Sequence, residues 1–485
     1  MDAPRDIGDR LELFVDEWLI DELRGARQVL HQPVPREPAL VTDRPWEGNM
    51  CHYVTVLRDG ARCRMYYSTW HAVFDRNADG SVVLRQTKSD IACAESLDGK
   101  HWHRPDFGLY EAGGSRRTNI VWTGEGDEIR GTHGFAPFID TNPACPADQR
   151  YKAVGRAEKK RDLWAMASPD GIHWRILHDR PIFSGLPCDS QNLAFYDALR
   201  GEYRAYLRDF DNGVRGIKTA TSPDFARWTE PKWLEYPGAP VQQLYTNQIM
   251  PYPRAPHLLL GFPTRYTERP WSPAIEALPE LEHRKLRAGA SERYGAAVTD
   301  GLFMSSRDGR TFHRWNEAFL RPGLRPEGSW AYGDMYQAWG LLETESDIAG
   351  APPELSLYAV EGYWRGNSTV FRRYTLRMDG FVSVNAPFAG GEMITKPFTF
   401  AGSRLALNMS TAAAGGIRVE MQDPDGRPLE GFALDDSIEV IGDELARTVS
   451  WRSGADVSRF AGQPVRLRFV LSDADLYAMQ FADAG

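Results

Sequence analysis

The chain has 485 residues, of which 42% are hydrophobic and 12% aromatic, and a formal net charge of −9. That length suits a large β-rich domain plus a smaller one, and the apolar share excludes global disorder. The negative balance argues against nucleic acid as a partner, and no run of about 18 apolar residues is present to span a membrane.

The opening Met1-Asp2-Ala3-Pro4-Arg5-Asp6 lacks the charged and apolar regions of a signal peptide. The expected location is cytoplasmic, or secreted with the leader absent from this sequence. Five scattered cysteines (Cys51, Cys63, Cys93, Cys145 and Cys188) form no Cys-x-x-Cys pair. They read as buried thiols rather than a zinc site or a disulfide framework.

In chain order, the segment Leu11–Ile20 is expected to complete the last repeat of the fold as its outer strand. Five polar clusters then run into apolar strands. They open at Gly48-Asn49-Met50-Cys51-His52, Thr132-His133-Gly134, Asp189-Ser190-Gln191-Asn192, Tyr245-Thr246-Asn247-Gln248 and Tyr332-Gly333-Asp334-Met335-Tyr336. Each reads as an innermost strand with its polar start at the mouth of a funnel. A second strand follows each one. Antiparallel pairing returns its end to the same face, so Trp70, Arg156, Arg208, Asp209, Arg265 and Glu361 are expected at the rim.

One short pattern punctuates these strands. It reads Ser96-Leu97-Asp98-Gly99-Lys100-His101-Trp102 and recurs from Ser168 to Trp174, Ser222 to Trp228 and Ser306 to Phe312. A degenerate copy lies at Asp379-Gly380-Phe381. Asp-Gly supplies a positive φ and a side-chain acceptor for backbone amides, the chemistry of a hairpin turn. Repeats of this length, each holding several short strands, mark propeller blades. The fold class is therefore all-β, a five-bladed β-propeller over 1–388 followed by a β-sandwich over 389–485. An insertion in blade four (267–293), rich in Pro, Glu and Arg, reads as partly helical and is a candidate lid or homo-oligomer contact.

Five blades with a C-terminal sandwich resemble the invertase, inulinase and levanase type of glycoside hydrolase. The arabinanase and β-xylosidase type and the mannoside phosphorylases are similar in their propeller. The Ser-x-Asp-Gly-x-x-Trp turns resemble those of such propellers. The resemblance implies a carbohydrate substrate in the funnel, but the sequence departs from the invertase pattern at its catalytic motifs. Trp46-Glu47-Gly48-Asn49-Met50 stands where a Trp-Met-Asn-Asp-Pro-Asn-like segment carries the nucleophile. Thr132-His133-Gly134 replaces an Arg-Asp-Pro motif, and Cys188-Asp189 stands where an acid Glu adjoins a Cys.

Glycoside hydrolysis needs two carboxyl groups, one protonated and one ionised. The candidate acids are Asp189, Glu361, Asp334 and Glu47, with Asp209 orienting Arg208. Asp189 opens a dense polar cluster. Glu361 lies among aromatics that could raise its pKa for general-acid work. Candidate substrate contacts are His52, His133, Gln191, Asn192 and Asn247, with Trp70, Tyr336 and Tyr363 suited to stacking on sugar rings. Arg156, Arg208 and Arg265, if all face the funnel, would hold a uronate, sulfate or phosphate. No cofactor is signalled, and a structural Ca²⁺ carries no signature of its own. Three functions fit: a glycoside hydrolase, a glycoside phosphorylase, and a propeller that binds carbohydrate without turnover.

Overall fold

The computed structural model describes residues 3–124, 130–157, 160–324 and 334–483. Tyr332 and Gly333, the start of the fifth polar cluster, lie outside them. Five four-stranded antiparallel sheets follow one another along the chain. Their inner strands are His52–Asp59, His133–Ile139, Leu193–Asp197, Met250–Tyr252 and Leu342–Thr344. Each pairs with the strand that follows it: Arg62–Thr69, Tyr151–Arg156, Glu202–Asp211, Ala255–Gly261 and Glu354–Glu361.

The ring closes by direct contact between blades five and one. Trp339 N–H donates to Val54 O at 2.8 Å and Val56 N–H to Trp339 O at 2.7 Å, a parallel bridge. Glutamines fill the axis below. The Gln191 amide donates to Tyr53 O (3.1 Å) and Thr55 Oγ1 (3.0 Å). Gln248 donates to Gln191 Oε1 (2.7 Å) and Gln337 O (2.9 Å). The bonds donated by these buried amides link blades one, three, four and five.

Four of the five polar clusters turn on one left-handed residue. Tyr53, Gly134, Gln248 and Met335 have φ of 54°, 65°, 44° and 66°. In blades one and two the register slips at that point. The left-handed residue makes a bulge that re-aims the preceding side chain, as bulges beside functional sites do.

The repeated turns form as their residues dictate. In three copies the Ser Oγ accepts the Gly N–H at 2.9 Å, while the Asp Oδ1 accepts the two amides that follow. The turns also latch blade to blade. Tyr66 Oη donates to Gly171 O (3.0 Å) and Tyr206 Oη to Gly309 O (2.9 Å), each from the preceding blade. Phe225 takes the glycine position in the third copy, at φ 63°. In the degenerate fifth copy, Asp379 accepts instead from Tyr252 Oη at 2.6 Å and from Arg254.

The outer strand of blade five is Val34–Val41, bonded to Val370–Arg377, and not Leu11–Ile20. The N-terminal strands pair instead with the C-terminal sheets. Glu12–Leu13 joins Arg466–Ala482, Ile20–Arg24 joins Gly391–Thr395, and Arg27–Leu30 joins Val382–Ala386. Val382–Ala386 in turn pairs with Arg466–Ala482, so sheet membership changes before residue 389. The reason is two-sided burial. Leu11, Leu13 and Val15 enter the propeller core, whereas Ile7, Phe14, Leu19 and Ile20 enter the core built on the long strands Arg404–Gln422 and Arg466–Ala482.

Glu12 sits 1% exposed in this seam, with Arg10 at 2.5 Å, Arg307 at 3.0 Å and His257 at 3.2 Å. Burial opposes its charge, but the bond from His257 and the charge of Arg307 prevail and lower its pKa from 4.5 to about 2. A depressed carboxyl pKa contributes stability that is complete above the ordinary value and lost as pH falls through the folded one. The melting temperature should therefore drop between about pH 4.5 and pH 2. Glu12→Gln should flatten part of that slope; an unchanged slope would remove the seam from the acid response.

Candidate functional site

A pocket of about 550 Å³ opens at the mouth of the propeller, where the polar clusters of blades one to four meet the insertion. Its floor is aromatic. His52 stacks on Trp70 (5.6 Å between centroids, 16° between planes), Trp70 meets His133 edge-on at 5.3 Å, and Tyr363 lies edge-on to His52 at 5.2 Å. The His52 Nδ1–H donates to Met50 O at 2.7 Å, which leaves Nε2 as an acceptor. Burial pushes its pKa down to about 3, so the ring is neutral. Tyr53 and Tyr245 share a hydrogen bond of 2.8 Å between their hydroxyls, and burial raises both phenols well above their usual range. Tyr336 stacks behind Tyr245 at 17°.

Asp189 is the one carboxylate on this pocket wall among the described residues. Its side chain is 62% exposed to the cavity, 2.8 Å from His133 Nε2 and 3.8 Å from Arg156. The site is deep enough to oppose the charge. The bond from His133 and the charges of His133, Arg208 and Arg156 more than offset that opposition and hold the carboxyl below its ordinary range. Asp189 is therefore ionised.

Around it stand five arginines: Arg156, Arg161, Arg208, Arg215 and Arg293. Arg208 donates to Asp189 O at 2.8 Å and lies 4.6 Å over Phe210. Arg215 also lies over the Phe210 ring, at 5.4 Å, and stacks on Tyr266 at 4.3 Å. Arg293 and Tyr294 come from the short helix Arg293–Ala296 at the end of the insertion. Buried Arg284 ties that insertion together by donating to the carbonyls of Ile275 (2.7 Å), Leu278 and Pro279 (2.8 Å each) and Gly295 (3.1 Å). Positive charge therefore exceeds negative charge on the cavity wall among the described residues.

Of the expected site residues, Asp189, His52, His133, Trp70, Arg156, Arg208 and Tyr363 line this pocket. The other three candidate acids do not. Glu361 is held by Arg372 (2.9 Å) and Tyr374 Oη (2.9 Å). Asp334 is fully buried, paired with Arg365 at 2.8 Å and accepting the Tyr363 N–H at 3.0 Å. Glu47 receives Arg104 through two bonds of 2.8 Å and Tyr67 Oη at 2.5 Å. Asp189 is thus not joined on this pocket wall by any of the other three candidate acids.

Asp209 pairs with Lys218 at 2.7 Å rather than orienting Arg208, and Arg265 is clamped by Asp300. Gln191 belongs to the axial network. Asn192 caps the strand ends, donating to Cys188 O and Ser190 O and accepting from Arg208 N–H. Asn247 is fully buried beside Tyr206 O. Arg161, Arg215, Arg293, Tyr53, Tyr245, Tyr294 and Trp364 also line the pocket and were not among the site residues expected from the sequence.

No family model matches this chain, and no curated protein does. Among solved structures the chain is similar to the catalytic domain of a GH62 α-L-arabinofuranosidase of Coprinopsis cinerea. That match has 9% identity, covers 72% of this chain and 99% of the other, and has a TM-score of 0.43. It is also similar to an N-acetylgalactosamine deacetylase from F. plautii solved with blood group B trisaccharide (12%, 72% and 95%, TM-score 0.42). A GH32 β-fructofuranosidase of Bombyx mori overlays 94% of this chain and 95% of its own at 9% identity and a TM-score of 0.40.

Proposed function

We propose that the chain is a glycoside hydrolase acting on an anionic saccharide, with Asp189 as its ionised carboxylate. The observation that supports this is the contact between Asp189 and His133 inside an arginine-lined cavity with an aromatic floor. The arginines hold the sugar's carboxylate or sulfate, and the rings of Trp70 and Tyr363 take its apolar face. Asp189 accepts a proton from water as the water attacks the anomeric carbon. His133, 2.8 Å from that carboxylate, is too close to it to stand on the opposite face of the sugar, so it orients Asp189 and the departing oxygen takes its proton from solvent.

The same arginines favour phosphorolysis as a second reading, since phosphate would replace water as the attacking group. Turnover of an aryl uronide without phosphate separates the two, and strict phosphate dependence would overturn hydrolysis. Arg161 lines the pocket and is exposed, so its loss disturbs no bond to Asp189. Arg161→Met is expected to raise KM for an acidic glycoside by roughly tenfold, about 1.4 kcal/mol, and to leave a neutral one unchanged. Equal losses on both substrates would refute the anionic class.

A further inference from the structure

One ring on the pocket floor keeps a nitrogen in reserve. His52 opens the inner strand of blade one and is 1% exposed, yet it lines the Asp189 pocket. Its surroundings hold it in one pose. Trp70 stacks on the ring at 5.6 Å, Tyr53 lies 3.8 Å from it between centroids, and Nδ1–H donates to Met50 O at 2.7 Å. The neighbours are fixed in turn. Trp70 Nε1–H donates to Thr87 O at 2.9 Å, and Tyr363, edge-on to His52, has its N–H on Asp334 at 3.0 Å. His52 Nε2 takes no hydrogen bond from the described residues. Burial keeps the ring neutral, with its pKa lowered to about 3, so Nε2 carries a lone pair and no proton. With Nδ1 bonded and aromatic rings against it, Nε2 is the polar atom that His52 offers the pocket.

We propose that His52 determines specificity in this pocket by accepting, at Nε2, a hydrogen bond from one hydroxyl of the acidic sugar. This rests on the acidic-saccharide reading of the pocket and adds a second group by which the sugar is recognised. The chemistry differs from that of the arginines. Arginines only donate, so those on the wall take a carboxylate or sulfate and accept no hydroxyl proton. An unprotonated imidazole nitrogen does the reverse: it accepts from O–H and repels an anionic oxygen. The two kinds of group stand on different blades, His52 on blade one and Arg208 and Arg215 on blade three. A sugar held by its acid group at the arginines and by a hydroxyl at His52 is limited to one orientation, which fixes its anomeric carbon relative to Asp189. The fixed ring adds to the selectivity. It loses no rotamer freedom when the hydroxyl arrives, and a buried acceptor left empty by a deoxy sugar penalises that ligand.

The test is calorimetric binding of the phenyl thioglycosides of glucuronic and galacturonic acid to the whole chain. Analogues of the tighter ligand, each lacking one ring hydroxyl, follow. One analogue should bind roughly tenfold more weakly than its parent, the effect of one lost hydroxyl contact. His52→Phe should bind that analogue and the parent alike, and His52→Gln, which keeps an acceptor, should restore part of the difference. A structural role would instead weaken every ligand by the same factor. Nitrogen NMR of labelled histidine in the unsubstituted chain gives the same answer should His52→Phe fail to fold. One unprotonated ring nitrogen should shift upfield with the parent ligand and stay in place with that analogue. Equal binding of all the analogues by the unsubstituted chain would overturn the role of His52 and leave the functional reading standing. A discrimination that survives His52→Phe, or a nitrogen signal that does not move, would also overturn it. Binding of neither uronide would defeat the acidic-saccharide reading, and the hydroxyl contact with it.

Discussion

Asp189→Asn is expected to cut turnover of an acidic glycoside by about 10²- to 10⁴-fold while its binding becomes tighter. The two effects have one cause. The carboxylate is the only negative charge on a pocket wall that carries five arginines among the described residues, so it partly neutralises Arg156 and Arg208. Its removal leaves those cations to the substrate's own anion, and the neutral amide keeps the shape of the site. The same amide can neither accept a proton from water nor stabilise a developing cation. The expected pattern is thus a fall in kcat with no rise in KM, which a purely structural role would not give. His52 is no substitute base in this experiment. It is neutral down to about pH 3, but its ring is buried and locked by the bond to Met50. Steady-state kinetics of Asp189→Asn beside His52→Gln decides the matter. A variant at position 189 that keeps more than half of the parent kcat would remove Asp189 from the chemistry.

The features legible in the sequence are those whose physics is local. Asp-Gly turns and polar-headed apolar strands need only neighbours a few residues away, and they place the blades and bring His52, His133 and Asp189 to one mouth. What was not legible depends on register and on distant partners. Glu361 sits among aromatics in sequence, yet the neighbouring strand brings Arg372 to its carboxylate and makes it a structural ion pair. Glu47 meets Arg104 across 57 residues of chain. The closing strand Val34-Pro35-Arg36-Glu37-Pro38-Ala39-Leu40-Val41 carries two prolines, which argue against a strand except at a sheet edge or a bulge. It is an outer strand with two register shifts, so the structure uses that exception. Arg161, Arg215 and Arg293 come from three separate segments, and nothing in their immediate sequence marks them as neighbours.

The largest stability effect is expected from one methyl group, in Gly340→Ala. Gly340 has φ 111°, a backbone region that side chains strain, and a Cβ built on it would stand 1.9 Å from the carbonyl oxygen of Val56. That oxygen belongs to the backbone of blade one and is held in place by the bridge that closes the ring, so it cannot rotate aside as a side chain would. Relief requires blade five to withdraw from blade one. That movement breaks the bonds of Trp339 to Val54 and Val56 and exposes the Trp339 indole, whose N–H donates to Ile249 O of blade four at 2.9 Å. A loss of about 4 kcal/mol or more is the expected outcome, read from the denaturant midpoint or as failure to recover folded protein. Gly201→Ala is the matched control: its φ is 67° with nothing within 4 Å of the added carbon, so only backbone strain of about 1–2 kcal/mol remains. If the two alanines cost the same, the closure between blades five and one would not be the weak point of the ring. If Gly340→Ala alone collapses the protein, the ring that brings Asp189 and its arginines together depends on two inner strands meeting at a distance only glycine permits.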